Sequence, residues 1–169
     1  MIIRPYQRTL EYNLLLARLA EPPQRFIIVT GPRQVGKTTL VRSVLNEKRI
    51  AKLVRFMAAD NPSAYDYTTA MDGTIAIANT PKTISWIVEQ WELARSLAHQ
   101  SANGLVLVFD EIQTILSWSE TVKGLWDEDK ASNLNMHVIL LGSSPLLVQH
   151  GLKENLNVRH HCSNQYVAG

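Results

Sequence analysis

Gly31-Pro32-Arg33-Gln34-Val35-Gly36-Lys37-Thr38 follows the apolar run Phe26-Ile27-Ile28-Val29-Thr30 and leads into Thr39-Leu40-Val41. The run before it is short, β-branched and ended by glycine, which predicts a buried strand. The residues after it predict a helix over 37–45. Glycines at both ends let the connecting backbone curl so that its N–H groups face one point. The start of a helix adds its positive dipole end to the same point. A lysine there can reach the β- and γ-phosphates of a nucleotide, and the hydroxyl of Thr38 can hold magnesium. These are the requirements of a P-loop. With glycine at about 7% of residues in the average protein, a chance match in so short a chain is on the order of one in a hundred. Residues 31–39 are therefore the candidate phosphate site: Gly31, Pro32, Arg33, Gln34, Val35, Gly36, Lys37, Thr38 and Thr39. Arg33 is expected to point to solvent or a neighbouring subunit.

Outward from the loop, strands and helices alternate. Leu10, Leu14 and Ala17 recur at helical spacing until Pro22-Pro23 stops the helix, and a strand is expected over 53–57. Residues 61–80 are weakly patterned. Thr80-Pro81 is a helix-start signal, and Ile84, Ile87, Val88, Trp91, Ala94 and Leu97 then form one stripe up to about Gln100. Asn103-Gly104 turns into a strand over 105–109. Trp118, Val122, Leu125 and Trp126 share a helical face, an acidic turn is expected at 127–129, and a last strand over 138–141. Alternation of this kind implies parallel pairing through right-handed crossovers, hence a three-layer α/β fold with a mostly parallel central sheet.

The strand 105–109 ends in Asp110-Glu111. At the carboxyl end of a strand beside the phosphate loop, Asp110 suits the magnesium water shell. Glu111 would face the γ-phosphate and could act as general base toward a water. Gly142-Ser143-Ser144 follows the last strand and should reach the same edge of the sheet. A hydroxyl there either bonds the lytic water or γ-phosphate, or caps a helix before Pro145. Arg159 could bring charge to a γ-phosphate.

Composition sets bounds on these readings. The chain has 169 residues, 46% apolar and 19% charged, which suits one globular domain with a full core. Seventeen basic against fifteen acidic residues leave a charge of +2, too balanced to imply a nucleic-acid glove or a membrane surface. The local cluster Lys48, Arg49, Lys52 and Arg55 reads as a solvated loop rather than a phosphate-backbone contact. Cys162 is the single cysteine, so an intrachain disulfide is excluded and a reducing, cytoplasmic setting is expected. No apolar run is long enough to span a bilayer. His160-His161-Cys162 lacks a second cluster at zinc spacing. The four tryptophans are expected in the core.

Gly31 to Thr39, Asp110-Glu111-Ile112-Gln113, Leu125-Trp126-Asp127, Gly142-Ser143-Ser144 and Gly151-Leu152-Lys153-Glu154 occur in one order along the chain. In that set the chain resembles a prokaryotic AAA+-like ATPase family whose members commonly carry a second, C-terminal domain of unknown function. The resemblance covers about residues 10–159. It implies an AAA-like P-loop core of the ASCE class, with Lys37 and Thr38 in the P-loop, Asp110 and Glu111 as the Walker B pair and Ser143 as sensor 1. It also implies a role for Arg159, which closes the Gly-Leu-x-Glu stretch. Residues 160–169 depart from the family, so the expected organisation is an ATPase domain over 1–159 and a divergent tail where the chain reads as truncated.

The chemistry expected is magnesium-dependent ATP hydrolysis, with ATP and a homo-oligomeric or protein partner. The alternative is a nucleotide-binding module without efficient turnover, since no helical lid or sensor 2 arginine is visible. No Asn-Lys-x-Asp stretch favours guanine, no transporter-cassette signature is present, and no acceptor pocket suggests a small-molecule phosphotransferase. A nucleic-acid partner has little support in these residues.

Overall fold

The structure is a computed structural model that describes residues 9–60, 66–69, 75–78 and 82–143. Its elements are α1 (Thr9–Ala20), β1 (Ile27–Thr30), α2 (Lys37–Leu45), β2 (Leu53–Ala58), β3 (Asp66–Thr69), β4 (Ile75–Ala78), α3 (Ile84–Gln100), β5 (Leu105–Asp110), α4 (Trp118–Ala131) and β6 (Met136–Gly142). A single 3-10 turn, Ile112–Thr114, separates β5 from α4. Strands β1, β6, β5 and β2 form an all-parallel sheet in that order, and β3 pairs with β4 as a separate antiparallel ribbon.

Alternation along the buried strands divides the molecule into layers. Ile27 and Val29 of β1, Val106 and Val108 of β5 and Ile139 and Leu141 of β6 pack with Leu15 and Leu19 of α1 and Val41 and Val44 of α2. Ile28, Leu105, Leu107, Phe109, Val138 and Leu140 point the other way, onto Trp86, Ile87, Trp91 and Ala94 of α3 and Val122, Leu125 and Trp126 of α4. Two helices therefore cover each face of the sheet, the three-layer α/β arrangement expected from the sequence. All four tryptophans are buried. Among the described residues no helix is long and apolar enough to cross a membrane.

Local differences from the sequence reading have physical causes. Leu10 is exposed, and α1 packs through Tyr12, Leu15, Leu16 and Leu19 rather than the Leu10, Leu14 and Ala17 row. Consecutive leucines at 14–16 supply more than one helical stripe, and contact with α2 selects between them. Helix α3 begins at Ile84 after Thr83, whose side chain makes no cap bond, while Thr80 and Pro81 lie outside the described residues. Ile84 is exposed and Trp86 takes the buried place. The acidic stretch 127–129 is the last part of α4, not a turn. Asp129 is buried there because Trp91 Nε1 donates to its Oδ2 at 2.7 Å and Arg95 Nε to its Oδ1 at 2.6 Å. At the other end of α3, Gly104 has φ +78°, and a Cβ there would stand 2.4 Å from the Asn135 carbonyl oxygen. Only glycine admits this close approach of the two segments.

Strand register places the carboxyl ends together. Thr30 pairs with Gly142 and Ala58 with Asp110, so the segments leaving β1, β6 and β5 emerge along one edge of the sheet.

Candidate nucleotide site

The loop between β1 and α2 turns through two residues of positive φ, Gln34 at 60° and Gly36 at 86°. Gly36 is the N-cap of α2, and a Cβ there would meet nothing within 4 Å. Conformation therefore demands glycine at this position, not lack of space. Leu40 N donates to Gly36 O at 2.9 Å, so the loop passes straight into the first turn of the helix.

Lys37 is 8% exposed, and its Nζ donates to the carbonyls of Gly31 at 2.8 Å and Pro32 at 2.6 Å. The ammonium is thus held over the loop by acceptors that a phosphate oxygen can replace. Arg33 stands exposed, as expected, and Thr39 is exposed on the first turn.

Strand β6 lies between β1 and β5. Its carboxyl end delivers Ser143 between the phosphate loop and the two carboxylates. Thr38 Oγ1 donates to Asp110 Oδ2 at 2.8 Å, joining the start of α2 to the end of β5. Burial raises the Asp110 pKa above the usual carboxylate range; the Thr38 bond opposes this, and the nearby charges of Glu111 and Asp60 add to it. A half-buried carboxylate among like charges suits a cation. Glu111 adopts a left-handed conformation, φ 53°, which turns the chain out of the strand. Ser143 Oγ donates to Glu111 Oε2 at 3.0 Å, and Gln113 Nε2 donates both to that oxygen and, at 3.3 Å, to Ser143 Oγ.

The structure brings together Lys37, Thr38, Asp110, Glu111 and Ser143 at one sheet edge. Arg159, Ser144, residues 151–154 and the His160-His161-Cys162 cluster lie outside the described residues. Of the residues in the family-like set, Leu125 and Trp126 belong to the core. Sequence reasoning gave Gln113 no role. Its place two residues after Glu111, across a tight turn, was the available signal. A cavity of about 780 Å³ opens at the opposite edge of the sheet, among Gln24, Arg25, Lys52, Asp129 and Asn135. It lies away from the phosphate loop, which the Lys37 side chain fills.

Among the described residues no cluster of three or more His, Cys, Asp or Glu side chains could hold a metal alone. One hydroxyl and one carboxylate in contact fit magnesium instead, which takes few protein ligands and completes its shell with water and phosphate. The curled loop, the lysine and the helix N-terminus fit a polyphosphate.

No curated protein is similar enough to the chain to match it. Among solved structures, one from "Structural Basis for Katanin Self-Assembly" superposes with a TM-score of 0.54 at 18% identity, covering 92% of this chain and 51% of the other. The FIGL-1 AAA domain in complex with ADP gives a TM-score of 0.49 at 15% identity, covering 85% and 46%. The chain spans about half the length of these structures. The first likeness speaks for the fold alone. The AAA domain family matches residues 23–166, most of the chain, and the chain belongs to that family as a nucleotide-binding AAA-type module.

Proposed function

We propose that the chain binds ATP with magnesium and hydrolyses it to ADP and phosphate. The observation that carries this reading is the 2.8 Å bond between Thr38 and Asp110, which unites the phosphate loop with the carboxylate pair. In the proposal the backbone N–H groups of residues 33–36 hold the phosphates, and Lys37 exchanges its two loop carbonyls for β- and γ-phosphate oxygens. Thr38 and Asp110 would hold magnesium. Bound there, the metal supplies neutralisation of charge on the phosphates. Glu111 takes the proton of a water as its oxygen attacks the γ-phosphorus and the bond to the bridging oxygen breaks. Ser143, bonded to Glu111, would orient that water. Arg159 is proposed as a further cation at the γ-phosphate, and a second copy of the chain as the partner that meets exposed Arg33.

Hydrolysis by the purified chain, beside Lys37→Ala and Glu111→Gln, tests the proposal. Lys37→Ala should lose binding, while Glu111→Gln should bind ATP yet turn over at least ~100-fold more slowly. Turnover unaffected by Glu111→Gln would sink the base assignment. Tight ATP binding without turnover by the unaltered chain would favour a second reading, a binding module. That reading draws on the fact that Lys37 and Glu111 are both engaged by the protein's own groups.

A further inference from the structure

We propose that Gln113 is a positioning residue that holds the Glu111 carboxylate in one orientation, sharing its Oε2 with Ser143. The inference rests on the hydrolytic reading of the site and names the residue that makes Glu111 usable in it.

Gln113 sits on a rigid mount. The 3-10 turn that carries it is anchored by the buried side chains Ile112 and Ile115. It is closed by Thr114 N and Thr114 Oγ1, which both donate to the Glu111 carbonyl at 3.1 and 2.9 Å, and by Ile115 N, which donates to Ile112 O at 3.1 Å. From this turn the amide nitrogen faces Glu111 and Ser143 together. Its two hydrogens match the two acceptors, and the Ser143 hydroxyl then donates to the same carboxylate oxygen at 3.0 Å, closing a ring of three side chains.

The other end of the amide shows what fixes the ring. Gln113 Oε1 is buried and has no hydrogen-bond partner among the described residues. Turning the amide over would set that oxygen against the Glu111 carboxylate, so attraction between N–H and carboxylate determines the orientation. Among the described residues the acceptor end of the amide goes without a partner while its donor end meets a charge.

The consequence is directional. Glutamate has three side-chain torsions, and an unheld one samples many positions relative to a phosphate-bound water. Both donors converge on Oε2, and among the described residues none is seen on Oε1. Oε1 is therefore the oxygen left to accept the proton, in a fixed place. Small displacements of a catalytic group have large effects on rate.

The test uses Gln113→Met, which keeps the length but removes the donor, with Gln113→Leu as a second variant should methionine impair folding. Unaltered protein and Glu111→Gln are assayed alongside. The expected result is a KM for ATP within about twofold of the unaltered chain and a kcat lower by about tenfold or more. A crystal structure of the variant should show the Glu111 carboxylate displaced from Ser143. An unchanged or raised kcat, where the unaltered chain turns over and Glu111→Gln does not, overturns the inference and leaves the hydrolytic reading standing. Turnover indifferent to Glu111→Gln overturns both. Should the unaltered chain not turn over, the crystal structure decides: a carboxylate still on Ser143 in the variant overturns the inference, and a displaced one supports it.

Discussion

Thr38 Oγ1 and Asp110 Oδ2 meet at 2.8 Å across the two segments that leave β1 and β5. The bond occupies the oxygens that magnesium would need, and burial beside Glu111 and Asp60 makes the Asp110 charge unfavourable without a cation. Its folded-state pKa is raised, so the stability it contributes is full below the unfolded value and falls as pH rises through the folded one. At neutral pH the nucleotide-free protein therefore carries a cost at this position.

Asp110→Asn should remove that cost while losing the metal. The expected outcome is a Tm higher by a few degrees without nucleotide. On the proposed reading magnesium and ATP stabilise the unaltered chain, and that stabilisation should disappear in the variant. Thermal melts with and without magnesium-ATP measure both. A lower Tm in the nucleotide-free variant would mean that the Thr38 bond outweighs the desolvation of Asp110.

Asp129→Ala addresses the core on the α3–α4 side. It would leave the Trp91 N–H buried without an acceptor and strip Arg95 of its most buried partner, though Glu92 and Glu128 still pair with Arg95 at the surface. The loss should be about 2–3 kcal/mol in chemical denaturation. ATP binding should be retained in the folded protein, because these residues stand apart from the phosphate loop. A change under about 0.5 kcal/mol would show that water or relaxation replaces the carboxylate.

These two sites mark what was legible in the sequence. The phosphate loop is legible because its chemistry is local: glycine for the left-handed turn at Gly36, then Lys37 and Thr38 at fixed offsets. Asp110 and Glu111 are legible because a run buried on both faces must end in polar residues. Asp129 was not, since an acidic stretch beside Lys130 looks solvated until Trp91 and Arg95 arrive from another helix. The same holds for Gln113, whose partner Ser143 comes from a different strand. Packing between distant segments decides such positions, and periodicity carries no record of it.

His137, near the start of β6, is 2% exposed, and its Nε2 lies 2.8 Å from the Glu21 carbonyl just beyond α1. Burial pushes its pKa down to about 4; the Lys52 charge adds to the shift, while the carbonyls of Glu21 and Arg18 oppose it. The unfolded chain, with an ordinary imidazole near 6.5, binds the proton more readily than the folded one. Stability should therefore be full above about pH 6.5 and fall as pH drops toward 4, by about 3 kcal/mol from this group. Asp110 and Asp129, with raised values, pull the opposite way at lower pH, so the comparison must be between variants. His137→Gln keeps an N–H toward Glu21 and cannot titrate. Denaturant midpoints between pH 4 and 8 should fall less steeply in this variant than in the unaltered chain. Parallel curves would mean that the folded state accommodates the imidazolium, by opening the chain between α1 and β1.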